Sequence, residues 1–151
     1  TGRIVRTIPG KRSMEQIKQQ QADADAVKAA QQRDRVLLAT YVSVEDIERL
    51  RDQRVEQLEQ QALVTRQYIT NLRAREARLM QDVQRYRPYS TKHIAPPLPQ
   101  PLAAELINTV NGLQVYEQEL TKNTTEQQQL RAEFDADIAR FQELKARVQP
   151  H

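Results

Sequence analysis

The chain has 151 residues, of which 38% are hydrophobic and 5% aromatic, and it contains neither Trp nor Cys. Its 23 basic and 20 acidic side chains are interleaved, so the net charge of +3 does not indicate a nucleic-acid-binding face. The lack of Cys excludes disulfides and thiol chemistry, and no stretch approaches the roughly 20 apolar residues of a membrane span. A composition rich in Gln, Glu, Arg, Ala and Leu is typical of long helices that bury a thin apolar seam.

Residues 1–12 differ in composition from the rest of the chain. The β-branched run from Ile4 to Ile8 lies between two Gly-containing turns and predicts a short strand. Because this strand has no partner elsewhere in the sequence, we interpret 1–12 as the tail of a small upstream β domain, with a leader segment as the alternative. The first residue is Thr1 rather than Met, and we therefore expect the chain to be part of a longer protein.

The next segment, 13–42, is predicted to be an N-terminal helix that ends in a joint. Ser13 fits a capping box with Gln16, and neither Gly nor Pro occurs from there to Arg87. The apolar pattern of this helix is weak except at its C-terminal end. That end is a candidate interaction surface, made of Val36, Leu37, Leu38 and Tyr41.

A break or sharp bend is predicted at 40–43, before the second helix. Ser43 is a candidate N-cap, because its hydroxyl can accept a hydrogen bond from the backbone N–H of Asp46. Val42 and Ile47 have the spacing of a hydrophobic staple, which would set the angle at which the chain enters the second helix.

The second helix is predicted over about 44–86, and its later part carries a heptad repeat. The spacing of its seam positions alternates between three and four residues, as a coiled coil requires. The predicted seam is Val55, Leu58, Ala62, Thr65, Ile69, Leu72, Glu76, Leu79, Val83 and Tyr86. Ile47 and Leu50 lie off this register, so we expect a stutter near 51–54.

A Pro-rich loop, 87–101, separates this helix from a third, predicted over about 102–148. Prolines in the loop end one helix and prevent the next from starting before about Pro101. The predicted seam of the third helix is Leu106, Val110, Leu113, Leu120, Thr124, Gln127, Phe134, Ile138, Phe141 and Val148. Tyr116, Leu130 and Leu144 lie beside this seam and widen its apolar stripe.

Together these patterns predict an all-α fold: a long antiparallel coiled-coil hairpin, 43–148, with an additional N-terminal helix. Pairing about the loop centre brings the least apolar parts of both seams together. It also sets the Arg-rich part of the second helix, 66–87, against Glu105, Glu117 and Glu119. Because the stripe is wider than a two-helix seam, we expect the end of the first helix and a second copy of the chain to cover it, giving a homodimer.

No residue pattern in the chain points to catalysis. The two histidines, His93 and His151, lie far apart in the loop and at the terminus, and no metal-ligand spacing occurs. We therefore expect no enzyme, catalytic residue, metal, cofactor or small-molecule substrate. The Arg-rich part of the second helix lacks the interleaved aromatic side chains of a nucleic-acid site, so we do not expect nucleic acid as a partner.

The loop also contains a P-x-x-P match, which makes it a second candidate interaction segment. Its residues are Pro96, Pro97, Leu98 and Pro99. Such a segment favours polyproline II and could dock on a partner. The interpretation that we favour is that the prolines stiffen a turn between two long helices.

Two stretches carry a resemblance to a known group of proteins: RDRVLLATYVSVEDIERLRDQRVEQLEQQ, which begins at Arg33, and GRIVRTI, from Gly2 to Ile8. They resemble uncharacterised bacterial cell-envelope proteins in which a small β domain of unknown function precedes a coiled-coil region. The resemblance implies the periplasm or envelope of a Gram-negative bacterium and an unknown envelope protein as partner, with the cytoplasm as the alternative location. It implies no activity and no functional residues.

We therefore expect a structural or protein-interaction module that self-associates through its heptad seams. The alternative is a chaperone-like or adaptor module that grips a client with the hairpin or with its Pro-rich tip.

Overall fold

Three helices make up the part of the chain that the computed structural model describes, residues 11–148. They are α1 (Lys11–Thr40), α2 (Val44–Val83) and α3 (Gln100–Val148). No strand occurs within these residues, so the described fold is all-α. Lys11 and Arg12, predicted to belong to a leader or β tail, are part of α1.

The resemblance to envelope proteins with an N-terminal β domain is not supported by this fold. The predicted strand from Ile4 to Ile8 lies outside the described residues, and 11–148 contain no strand that could pair with it. A β-branched run becomes a strand only where a neighbouring strand completes its backbone hydrogen bonds. The assignment to that family is therefore wrong.

α1 begins two residues before its predicted cap and ends at Thr40. Ser13 lies inside the first turn and is not the N-cap, because neither of the two residues before it breaks a helix. At the other end, the Thr40 hydroxyl donates to the carbonyl oxygen of Val36 at 2.6 Å. The Tyr41 N–H donates to the carbonyl oxygen of Leu37 at 3.2 Å, which closes the last turn.

The break between α1 and α2 is held by hydrogen bonds around Asp46. Its backbone N–H donates to Ser43 Oγ at 3.4 Å, so Ser43 caps α2. Its carboxylate Oδ2 accepts from the Val42 N–H at 3.1 Å. The predicted staple is wrong, because the Val42 side chain is 82% exposed while Ile47 is fully buried. A hydrogen bond to the backbone, rather than an apolar contact, restrains the chain at this point.

α2 and α3 pack together along apolar seams. On α2, every position of the predicted seam from Val55 to Tyr86 is buried or half-buried. Ile47 is buried one residue away from that register, as the expected stutter requires. The heptad of the second helix therefore identifies which of its side chains are buried or half-buried.

The seam of α3 differs from the predicted one. Thr109 is 4% exposed whereas Val110 is 43% exposed, and Asn123 is half-buried whereas Thr124 is exposed. Val148, the last predicted seam residue, is 69% exposed. Within 100–135 the observed seam is Leu106, Thr109, Leu113, Tyr116, Leu120, Asn123, Gln127, Leu130 and Phe134.

Charge explains why α3 uses this other seam. The predicted seam would have placed Glu117 and Arg131 among apolar side chains. In the structure both are exposed beside the seam, where Glu117 pairs with Arg73 at 3.0 Å and Arg131 pairs with Glu59 at 3.4 Å. An ionised side chain is far cheaper to keep at the solvated flank than to bury.

The chain divides into two compact units, one formed by 49–135 and the other by 1–48 with 136–151. Ion pairs within the first unit show how α2 and α3 run past each other. Arg51 near the start of α2 meets Asp135 at 3.1 Å, and Arg75 further along meets Glu105 at 2.6 Å. Positions late in α2 therefore lie beside positions early in α3.

The helix ends beside the loop differ slightly from the predicted ones. α2 ends at Val83, and the next three N–H groups, up to that of Tyr86, donate to carbonyl oxygens three residues earlier. This tightened turn satisfies carbonyls that the helix leaves open. α3 begins at Gln100, because Pro101 lies in the first turn, where a helix needs no donor from it.

Candidate interaction surfaces

Three of the four residues predicted at the end of the first helix line one open groove. It has a volume of about 680 Å³, and Val36, Leu37 and Tyr41 form part of its wall together with Ala136 of α3. Leu37 is 8% exposed and anchors this end of α1, while Val36 remains 52% exposed. Leu38 is half-buried and does not line the groove. The predicted apolar run is thus partly an internal contact and partly open surface.

A bidentate ion pair closes one side of this groove. Arg140 donates through Nε and Nη2 to the two carboxylate oxygens of Asp34, at 2.9 and 2.8 Å, and through Nη1 to Glu143 at 2.8 Å. The hydrogen bond from Arg140 lowers the pKa of Asp34 below its ordinary value, and the two carboxylates raise the pKa of Arg140. The pair ties the end of α1 to the end of α3. No local pattern predicts it, because 106 residues separate the partners.

The rest of α1 has no such support. None of the side chains from Ser13 to Arg33 is buried, and Met14, Ile17 and Val27 are between 57% and 60% exposed. An isolated helix of this length is marginal in water. This part of α1 therefore presents apolar side chains that nothing within the described chain covers.

The Pro-rich tip is a braced turn with exposed proline rings. The Arg87 N–H donates to the carbonyl oxygen of Pro96 at 2.9 Å, and the Leu98 N–H donates to that of Arg87 at 3.0 Å. Leu98 is half-buried, whereas the three prolines of the P-x-x-P match are exposed. Ile94, which precedes them, is 92% exposed. Two backbone hydrogen bonds of Arg87 therefore brace the turn, and the proline rings and Ile94 stay accessible.

A further surface was not predicted from the sequence: the tyrosine face, made of Val64 and Tyr68 on α2 and Val115 and Tyr116 on α3. The two tyrosine rings stack with centroids 5.2 Å apart and 23° between their planes. Val64, Tyr68 and Val115 are 48–52% exposed. Only the pairing of α2 with α3 brings these residues together.

A polar layer interrupts the seam of the hairpin. Asn123 Nδ2 donates to the carbonyl oxygen of Leu58 at 2.9 Å, and Gln127 Nε2 donates to Asn123 Oδ1 at 2.7 Å. Among the described residues, no buried side-chain nitrogen or oxygen lacks a hydrogen-bond partner. The polar part of α3 therefore contacts the backbone of α2. The residue that makes this contact is Asn123, whereas the predicted seam contained Thr124.

The Arg-rich part of α2 is partly neutralised within the hairpin. Arg73 pairs with Glu117 and Arg75 pairs with Glu105, two of the acidic partners predicted for them. Paired guanidinium groups are less available to an external phosphate. The structure thus adds no observation in favour of a nucleic-acid face.

Within 11–148, no group of three or more His, Asp or Glu side chains is placed to hold a metal ion. No helix in that range combines the length and apolar character needed to cross a lipid bilayer.

Comparison of the chain with protein-family models, with curated proteins and with solved structures finds no match. The assignment to a family of envelope proteins therefore has no support from a family match either. The envelope location and the envelope partner rested on that resemblance, and both stay predictions.

Proposed function

We propose that this chain is a structural protein-interaction module: an antiparallel coiled-coil hairpin of α2 and α3 that self-associates and carries α1 as a further docking element. One observation carries the proposal. Large apolar side chains remain exposed on all three helices although the seam between α2 and α3 is well packed. They include Met14, Ile17, Val27, Val36, Leu63, Val64, Tyr68, Met80, Ile107, Val110 and Val115. Apolar surface beyond the needs of the fold is typical of interaction sites.

Three features support the coiled-coil part of the proposal. Seam positions on both helices alternate between three- and four-residue spacings. Ion pairs such as Arg75–Glu105 and Glu59–Arg131 flank the seam, as e and g charges do in coiled coils. The Asn123 layer is the kind of polar contact that specifies register at some cost in stability.

The module would act by covering apolar side chains on association. No side chain of residues 13–33 of α1 is buried, so a partner helix that packs on this stretch would stabilise it. The Asp34–Arg140 pair meanwhile holds the C-terminal end of α1 against α3. The end of α3 would thus hold one end of a helix whose remaining length is covered by a partner.

Sedimentation equilibrium of the whole chain tests self-association. We expect a species of twice the chain mass of 17.5 kDa at micromolar concentration, and a Tm that rises with protein concentration. A single mass of 17.5 kDa, with a Tm that does not depend on concentration, would contradict self-association.

A second candidate function is an adaptor that binds through the Pro-rich tip. The observation that favours it is the exposure of Ile94, at 92%, on a loop whose backbone is braced by Arg87. Replacing 94–101 by a short flexible turn separates a docking element from a plain turn. Loss of co-purifying protein with an unchanged Tm supports the adaptor. Loss of folding would show that the loop only joins two helices.

A further inference from the structure

We propose that the tyrosine face is the site at which a second copy of this chain packs, with its hairpin antiparallel to the first about a twofold axis beside the Tyr68–Tyr116 stack. This inference rests on the proposed self-association and names the surface that carries it. Its basis is the stacked tyrosine pair at the centre of the face and the distribution of charge on either side of it.

The centre of the face has the composition of an interface core. Beside the four apolar and aromatic residues, the same flank of α2 carries Gln61 and Asn71, and the flank of α3 carries Asn108 and Gly112. Glu119 and Lys122 line the same groove as Val64, so the ionised side chains of this flank begin one turn beyond Tyr116, on the side away from the loop. Paired aromatic rings with little competing charge are typical of the centre of a protein interface.

The charges on the two sides of the tyrosine stack have opposite sign. On the loop side, residues 69–115 carry six basic and three acidic side chains, hence a net charge of +3. On the other side, 49–67 and 117–135 together carry six basic and eight acidic side chains, hence −2. An antiparallel second copy would place the basic half of each hairpin beside the acidic half of the other. A parallel second copy would bring like charges together.

One pair of residues makes this complementarity specific. Arg78 follows Tyr68 by ten residues towards the loop, and Glu126 follows Tyr116 by ten residues in the opposite direction. At ~1.5 Å per residue each lies about 15 Å from the stack, so a twofold axis there would bring Arg78 of one copy level with Glu126 of the other. Neither residue forms an ion pair among the described residues, and Glu126 lines the same groove as Val64.

A second copy fits this face better than an unrelated partner because the face is complementary to itself. A twofold interface uses the same patch on both chains, so a residue on one side of the axis meets the residue that lies at the same distance on the other side. The equal offsets of Arg78 and Glu126 from the stack place a cation level with an anion twice in the dimer. The interaction should also weaken as salt rises, since the charges are exposed.

The face is tested with two adjacent residues of equal exposure. Val64 lies in the tyrosine face and Leu63 lies outside it, and both are 48% exposed. We expect Val64→Glu to weaken the dimer by roughly a hundredfold or more, since it places two unpaired carboxylates in the interface. Leu63→Glu should leave the dissociation constant unchanged. Sedimentation equilibrium gives the mass, and far-UV circular dichroism should show wild-type helicity in both variants.

A charge exchange tests the twofold arrangement. We expect Arg78→Glu and Glu126→Arg each to weaken the dimer about tenfold, because an exposed pair contributes modestly and the symmetry provides two of them. The double variant should return to the wild-type dissociation constant. If the double variant does not recover, or if Val64→Glu leaves the dimer unaffected, the tyrosine face is not the interface. The chain would still self-associate, through another surface. A wild-type chain that stays monomeric would overturn both.

Discussion

The seam between α2 and α3 and residues 13–33 of α1 are both helical, yet they are supported in different ways. Residues 13–33 contain neither Gly nor Pro. The two helices that form the seam contain only Pro101 and Gly112, both in α3. In the seam, side chains are buried at every third or fourth position, whereas none is buried in 13–33. The lack of helix breakers permits a helix in both regions, but only the seam adds tertiary packing.

The packed seam contributes tertiary stability to the chain, whereas residues 13–33 of α1 leave apolar side chains exposed. In the packed seam α2 and α3 cover each other's apolar side chains, and Asn123 hydrogen-bonds the backbone of α2. In the exposed stretch, nothing among the described residues covers Ile17 or Val27. Substitutions in the two regions should therefore act on different properties.

The largest effect is expected from placing charge in the seam. Replacing Leu72 and Leu79 by Asp puts two unpaired carboxylates between α2 and α3, at a cost of about 3–5 kcal/mol each. Far-UV circular dichroism should show a marked loss of helicity, and the oligomer mass should fall with it. Leu63→Asp, at a position 48% exposed, is the matched control and should keep wild-type helicity. A folded double variant would show that the seam is assigned wrongly.

A smaller, local effect is expected in α1, at its docked C-terminal end rather than in its open middle part. Leu37 is 8% exposed and Val27 is 57% exposed. Leu37→Asp should release the C-terminal end of α1 at a cost of about 2–3 kcal/mol, and amide hydrogen exchange over 34–40 should become faster. Val27→Asp should leave exchange in that range unchanged. Equal responses from the two variants would contradict the contrast between a docked end and an open stretch.

A pH-dependent effect is expected from Asp34. Its pKa in the folded chain is below the ordinary value of 3.8, because Arg140 hydrogen-bonds the carboxylate. The stabilisation by this pair is therefore present above pH 3.8 and is lost as the pH falls through the lower, folded-state pKa. Asp34→Asn should have a lower Tm than the wild type at pH 7, and the gap should close in strong acid. A gap that stays constant down to pH 2 would mean that the pair contributes nothing through ionisation.

The smallest effect is expected at Gly112, which lies beside the seam on α3. A Cβ on Gly112 would lie 3.4 Å from Leu72 Cδ1, an ordinary contact distance. Gly112→Ala should therefore stabilise the chain by about 0.5–1 kcal/mol, since Gly costs helix stability relative to Ala. Urea unfolding at one fixed protein concentration measures the change. A loss of stability would show that the α3 backbone approaches Leu72 too closely to admit a methyl group.

Local signals predicted much of the fold. The heptad from Val55 to Tyr86 identified the buried side of α2, and Ser43 marked the start of that helix. These signals work because caps, prolines and heptads act over a few residues. The predicted staple at Val42 failed because the Asp46 carboxylate offered the same backbone a hydrogen bond, and sequence spacing does not choose between the two.

The candidate surfaces were predicted only in part. The apolar run from Val36 to Tyr41 does line a groove, but its other wall comes from α3 and includes Arg140. The tyrosine face escaped prediction because Tyr68 and Tyr116 belong to different helices and lie at the edge of the apolar stripes. If α2 and α3 are assumed to pair, helical wheels of the two helices place Tyr68 and Tyr116 on neighbouring flanks of the seams. That pattern could have predicted the tyrosine face.

Three features of the described residues follow from the sequence: their helical class, the approximate ends of the helices and the buried side of α2. Each depends on residues that are close together in the chain. Which side of α3 is buried depends on the tertiary structure. Apolar side chains lie on both sides of the line through Leu113 and Leu120. Contact with α2, which leaves Glu117 and Arg131 on the solvated flank, selects Thr109 and Asn123 over Val110 and Thr124. The ion pair between Asp34 and Arg140 likewise depends on packing. Its partners are so far apart in the chain that they meet only once α1 and α3 lie side by side.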